Sequence, residues 1–204
     1  IGQQISNQMV KGINRELFGN DSTKTISLKN FMAGFISGTT GKGALMSMDS
    51  AQLYAHSLME TIKARTMQNE YGPNKVAGEK FLAENAKKEG VKTLEGGVQY
   101  KVIKEGSGAI PADTSIVKVQ YEGRTIDGKV FDSSYQRKEP AEFRCNQVIK
   151  GWTEVLTHMP AGSVWEVYIP QDKAYGARQQ GDDIKPFSVL IFKIELLEVN
   201  PKRK

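Results

Sequence analysis

The apolar residues of this 204-residue chain change their period near residue 90, and that change limits the fold more than any single motif. From Ile1 to about Gly90 they recur at helical spacing, and from about Leu94 onward they alternate as in strands. The fold class that follows is α+β, an all-helical N-terminal half and then an antiparallel sheet. In the first half Ile1, Ile5, Met9, Ile13 and Leu17 form one stripe on a helix that stops near Gly19-Asn20. Ser27 is placed to cap a second helix bearing Leu28, Phe31, Met32, Phe35 and Ile36, which ends at Gly38. Asp49 and Gln52 have capping-box spacing and open a longer helical pattern through Leu53, Leu58 and Ile62 to Ala86.

Gly72-Pro73 interrupts that pattern. Proline inside a helix removes a hydrogen bond and clashes with the preceding turn, so the sequence predicts a kink or break there, or a new helix begun by Pro73. The domain reading is therefore residues 1–70 as a helical domain, 71–93 as a linker helix and 94–204 as the sheet domain. The linker would be a spacer of about 25 Å with a hinge at Gly72-Pro73. A hairpin plus one long helix has few ways to bury its apolar stripes, so residues 1–70 are expected to form a homodimer; a monomeric helical lobe is the rival. Met9, Met32, Met46, Met48, Met59 and Met67 are expected to fill that core or interface, with an adaptable surface for unfolded chains as the alternative.

The composition, 39% apolar and 25% charged, is ordinary for a globular protein and does not indicate disorder. Part of the net charge of +5 lies in the tail Lys202-Arg203-Lys204, and nothing else points to nucleic acid. No apolar run approaches the roughly 18 residues of a membrane span. The chain opens on Ile1 rather than Met, which raises the expectation of a leader or lipid-attachment segment upstream. Cys145 is alone, and His56 and His158 are far apart without cysteine partners, so neither a disulfide nor a zinc site is expected, and no cofactor. Neither a Ser/His/Asp set, a Gly-rich phosphate loop nor an HExxH motif appears.

The second half reads as a sheet wrapped around one short helix. Val98, Tyr100 and Val102 alternate, as do Val117, Val119 and Tyr121, and Asp127-Gly128 marks a hairpin before Val130. Another strand is expected at 141–145. Trp152 to Met159 is the one helical piece, stopped by Pro160-Ala161-Gly162, and Val189 to Val199 is the longest strand.

Several pieces recur in a telling order: Val130-Phe131-Asp132, Val148-Ile149-Lys150-Gly151-Trp152, Pro160-Ala161-Gly162, Ala174-Tyr175-Gly176 and the strand from Val189. From about Gly97 to Val199 they resemble the FKBP-type peptidyl-prolyl cis/trans isomerases. The helical half, with the stretch Phe81 to Val91, is similar to the bacterial macrophage infectivity potentiator branch. That resemblance implies a homodimer of V shape, with an isomerase domain on each long helix and a role in folding. Its partners would be proline-containing peptides and unfolded or folding proteins, with macrolides as candidate inhibitors. Its location would be periplasmic or outer-membrane associated, with a cytoplasmic alternative. Gly72-Pro73 departs from the uninterrupted helix of that branch.

Carried over residue by residue, the resemblance makes Tyr121 and Phe131 pocket walls and Asp132 the polar group beside them. Val148 and Ile149 match the pair whose backbone meets the peptide, Trp152 the floor, Tyr175 the hydroxyl that bonds a substrate carbonyl, and Phe192 the last wall. Phe143 and Ala141 compete for one family position. The loop from Arg178 to Phe187 keeps Ile184 but carries Gln180 and Asp183 where the family has other residues, which predicts an altered rim. Trp165 matches no pocket position and reads as packing. A non-catalytic protein that only captures proline-containing segments is the second reading.

Overall fold

The computed structural model describes residues 2–19, 21–41, 43 and 47–201, the side chains of 2–6 and 48 excepted. Ile1, the Ile5 and Met48 side chains, Met46 and the tail Lys202-Arg203-Lys204 lie outside the described residues. The chain forms two compact units, Ile1–Glu70 and Tyr71–Lys204.

In the first unit, α1 (Gly2–Phe18) and α2 (Leu28–Thr40) precede α3 (Met48–Asn85). Ser27 caps α2 by accepting from the Asn30 N–H, and Gly41, at φ 67°, closes the helix three residues beyond the expected stop at Gly38. The cap of α3 is Ser47, whose Oγ accepts from the Ser50 N–H at 3.2 Å, and not the Asp49/Gln52 pair. Leu17 is buried, and its carbonyl accepts from Thr66 Oγ1 at 2.9 Å. Asn14 ties α1 to the following connector through Ile26 N–H and Thr25 Oγ1, at 2.9 and 2.8 Å. Little else is covered: α2 has no buried residue, and Phe35 and Ile36 are each 55% exposed. Met9 and Met32 are exposed and Met59 and Met67 only half-buried, so within one chain these methionines do not fill a core.

The expected break at Gly72-Pro73 is absent, because α3 runs without interruption through Pro73. A proline costs an isolated helix interior about 3 kcal/mol. Here the residues after it are held by tertiary contacts instead. Asn74 Nδ2 donates to the Pro186 carbonyl at 3.1 Å, Phe81 lies 6.0 Å from the Tyr168 ring, and Gln99 Nε2 donates to the Leu82 carbonyl at 2.9 Å. Buried Asn85 donates to Gln99 Oε1 at 3.0 Å. The end of α3 therefore packs on the sheet and is not a free spacer.

The sheet of the second unit contains β1 (Val91–Thr93), β2 (Gln99–Lys104), β3 (Ile116–Thr125), β4 (Val130–Ser133), β5 (Ala141–Arg144), β6 (Val164–Ile169) and β7 (Leu190–Val199). Their order is β1-β2-β6-β7-β3-β4, with β5 also on β3, and every pairing is antiparallel. β3 equals β7 in length, and its inward positions Val117, Val119, Tyr121, Gly123 and Thr125 are all buried. Asp127-Gly128 makes the expected hairpin, with Gly128 at φ 88°. Besides α5 (Lys150–Leu156), a one-turn helix α4 (Ser134–Arg137) follows β4, so the expectation of one helical piece misses a turn. α5 lies against the sheet through Trp152, Val155 and Leu156, and the core continues through Met159, Ile169, Leu190, Ile194 and Leu196.

Candidate active site

A cavity of about 770 Å³ opens beside the N-terminus of α5. Its aromatic lining follows from the alternation of the strands and from a close backbone approach at Gly151. Tyr121 points inward from β3, Phe131 comes from β4, Phe143 from β5 and Phe192 from β7. Gly151 lets α5 approach β6, since a Cβ there would stand 2.4 Å from Ile169 Cγ2. This seats Trp152 among the others: its ring is 5.3 Å from Tyr121, 5.6 Å from Phe143 and 5.3 Å from Phe192, each nearly edge-to-face. Phe131 meets Phe192 at 5.6 Å and 85°. Such pairs contribute about 0.5–1.5 kcal/mol each beyond their burial, so the rings hold one another in place.

Polar groups enter from three sides. Tyr121 Oη donates to Asp132 Oδ2 at 2.5 Å, Arg137 pairs with Asp132 Oδ1, and Arg137 Nη2 donates to Tyr121 Oη at 2.9 Å. Ile149 is the N-cap of α5 (φ −60°, ψ 147°) and supplies no side-chain cap; Trp152 N–H donates to the Ile149 carbonyl at 2.9 Å, and the backbone donors before it have no intrahelical acceptor. Tyr175 stands opposite on the loop before β7, followed by Gly176 at φ 59°. Ile184 is buried in that loop, where Gln180 and Ile184 exchange backbone bonds of 2.9 and 3.2 Å. Lys129 and Asp183, 2.5 Å apart, tie the loop to the β3–β4 hairpin.

The second unit matches the family described as FKBP-type peptidyl-prolyl cis-trans isomerase over residues 108–197. Residues 1–102 match the domain amino terminal to FKBP-type peptidyl-prolyl isomerase. The FKBP-type 22 kDa peptidyl-prolyl cis-trans isomerase of Escherichia coli (strain K12) is 44% identical over 199 residues, 98% of this chain and 90% of that protein. This chain belongs to the FKBP-type peptidyl-prolyl cis-trans isomerases. The outer membrane protein MIP of Legionella longbeachae is 51% identical over 126 residues, 62% of this chain and about half (54%) of that protein. Among solved structures, FkpA from Escherichia coli aligns at a TM-score of 0.65 and 32% identity, covering 98% of this chain and 91% of that one. An isomerase from Pseudomonas syringae pv. tomato aligns at 0.61 and 41%, covering 64% and 96%.

In this isomerase all ten residues singled out from the sequence, Tyr121, Phe131, Asp132, Phe143, Val148, Ile149, Trp152, Tyr175, Ile184 and Phe192, line the one cavity. Between the two rivals on β5, Phe143 reaches the cavity while Ala141 packs against the core. Trp165 is buried elsewhere and stacks on Tyr100 at 4.3 Å. Sequence reasoning passed over Arg137, which shares Asp132 with Tyr121, and the rim residues Lys150, Asp172 and Arg178. Arg137 owes its place to a turn that appears only in the folded backbone: Ser133 Oγ caps α4 by accepting from Gln136 N–H, and that single turn brings Arg137 over Tyr121.

Burial raises the Asp132 carboxyl, but the hydrogen bonds from Tyr121 and Arg137 outweigh it and hold the group below the usual carboxylate range. Desolvation pushes Tyr121 and Tyr175 above the ordinary phenol value, helped by the Asp132 charge. At neutral pH Asp132 is thus ionised, and the Tyr121 and Tyr175 hydroxyls are neutral. Among the described residues, no group of three or more His, Cys, Asp or Glu is placed to hold a metal.

Proposed function

We propose that the cavity takes the prolyl ring of an X-Pro segment, with Trp152 as floor and Tyr121, Phe131, Phe143 and Phe192 as walls. Tyr175 Oη and the Ile149 N–H would hold substrate carbonyls, while Val148 and Ile184 flank the chain. The observation that carries this reading is the convergence of five aromatic rings, packed edge to face, on one cavity with a hydroxyl and an open helix end at its rim. Rotation about X-Pro crosses about 18–20 kcal/mol because the amide loses resonance, yet no bond breaks. A twisted amide has a less polar carbonyl than a planar one, so dry aromatic walls favour it over the ground state. A thousandfold acceleration needs only about 4 kcal/mol, within reach of orientation plus that difference.

The test is a protease-free assay of cis-to-trans relaxation in a short X-Pro peptide. Acceleration is expected at micromolar protein, and an unchanged rate there would sink the catalytic reading in favour of capture alone. The rate should be level from about pH 5 to about pH 9 and fall only in stronger acid. Because the folded pKa of Asp132 is depressed, its ionised network is complete above the ordinary carboxylate value and is lost as pH falls through the lowered one. Both tyrosines titrate above their usual value, which keeps them protonated through the alkaline end of that plateau. An inflection near pH 6 or 7 contradicts this assignment.

Residues 1–70 are proposed to dimerise and to hold folding clients near the paired pockets. The support is physical: Leu53 is 73% exposed, and with Phe35 and Ile36 it leaves apolar side chains in water that a second copy would cover. Solution mass should be twice that of one chain and fall to the monomer when residues 1–70 are removed. A monomeric intact chain refutes it. The name of the Legionella relative, an outer membrane protein, supports a periplasmic or outer-membrane-associated location. Macrolides that mimic a prolyl segment would compete for the same cavity.

A further inference from the structure

We infer that Asn74, on α3 and outside the pocket, is a positioning residue for Tyr175. The inference rests on the pocket reading above and extends it to a residue that touches no substrate. Its Nδ2 donates to the Pro186 carbonyl at 3.1 Å. That carbonyl belongs to the same peptide unit as the Phe187 N–H, which donates to the Gly176 carbonyl at 2.7 Å. Gly176 follows Tyr175 directly and itself lines the cavity. A single file of donors and acceptors therefore runs from the helix, through one peptide plane, to the backbone that aims the Tyr175 ring. Bonds in such a file polarise one another, so removing the first donor weakens the second bond as well.

Two further features say that this peptide plane needs holding. Phe187 sits at φ 61°, in the left-handed region that side chains other than glycine rarely enter and that persists only where the surroundings impose it. One turn along the helix from Asn74, Gly78 is buried against Val189, and a Cβ there would lie 2.6 Å from Val189 Cγ2. The helix thus meets the loop at both sides of Phe187, by a hydrogen bond to residue 186 and by close packing on residue 189. By contrast Val76, between these two positions in sequence, is 65% exposed and serves as a control.

The experiment is a double-mutant cycle in the full chain between Asn74→Asp and Tyr175→Phe, read as kcat/KM on an X-Pro peptide and as peptide affinity from the change in tryptophan fluorescence on binding. Asn74→Asp keeps the side-chain shape but turns the donor into a carboxylate facing a carbonyl. In the otherwise unchanged chain it should lower kcat/KM and affinity by roughly 3- to 10-fold, within the range of coupling between residues joined in one network. In the Tyr175→Phe background the same substitution should change either quantity by less than about 1.5-fold, since the hydroxyl it serves is gone. Val76→Ala should leave both readouts unchanged. Loss of the same factor in both backgrounds would show a general weakening of the domain and overturn the inference, as would no loss in either. Asn74→Ala, which also removes the donor, replaces Asn74→Asp if that variant does not fold. The affinity arm still decides the matter if the chain binds without catalysing, and a chain that neither binds nor isomerises overturns the pocket reading together with this one.

Discussion

Asp132→Ala should lower kcat/KM for an X-Pro peptide by roughly 10- to 100-fold, about 1.4–2.7 kcal/mol of transition-state stabilisation, with the fold intact. The carboxylate engages two partners at once: Tyr121 donates to Oδ2 and Arg137 pairs with Oδ1. Removing it takes the acceptor from the Tyr121 hydroxyl, whose ring is one wall of the cavity, and leaves the guanidinium above that ring bonded to Tyr121 Oη alone, without its counter-charge. The Asp132 and Arg137 side chains are 42% and 49% exposed, so water can solvate what remains and the cost to stability is about 1 kcal/mol or less. Asp132→Asn separates the two roles of the group. The amide oxygen still accepts from Tyr121 but carries no charge for Arg137 or for a twisted carbonyl. With Oδ2 already committed to Tyr121, orientation should dominate, and Asp132→Asn should retain activity within about fivefold. Equal losses in the two variants would assign the effect to charge, and a full-activity Asp132→Ala would remove Asp132 from the mechanism altogether.

What the sequence disclosed follows from how local each signal is. Tyr121 was legible because β3 alternates strictly, so Val117, Val119 and Tyr121 must share a face. Trp152 was legible because it ends the run Val148-Ile149-Lys150-Gly151-Trp152, one of the ordered pieces that carry the family resemblance. Arg137 was not, because its partner lies five residues back across a turn whose cap only the folded backbone reveals. Pro73 misled for a related reason. Helix propensity counts the lost hydrogen bond and the clash, whereas the compensating contacts come from residues far along the chain, Pro186, Tyr168 and Gln99. The same distance hides Asn74, an ordinary polar helix residue until the loop more than a hundred positions later folds against it.

Gly123→Ala should cost this domain more than most single methyl groups, because the added atom has nowhere to go. Gly123 is buried at an inward position of β3, and a Cβ there would lie 2.6 Å from Phe131 Cε2 and 2.7 Å from Phe192 Cε1. Neither ring is a flexible tip that can swing aside cheaply. Phe192 is held against Trp152 at 5.3 Å and against Phe131 at 5.6 Å, so displacing it disturbs the floor as well as the wall. Relief by strand movement is blocked too, since Gly123 pairs with Phe192 of β7 on one side and Asp132 of β4 on the other. The rings must therefore move into the cavity that would hold the prolyl ring. Overpacking of this kind costs about 1–3 kcal/mol, which for a domain of this size lowers the melting midpoint by roughly 4–15 °C. Peptide affinity should fall at least about tenfold, because the volume lost is the volume a ring would occupy. The pair Gly123→Ala with Phe131→Leu discriminates: a smaller, branched side chain relieves the clash at position 131 but not that with Phe192, so stability should return in part while affinity stays low for want of the wall. Affinity within twofold of the unaltered chain in Gly123→Ala alone, with an unchanged midpoint, would mean that Phe131 and Phe192 do not bound the site.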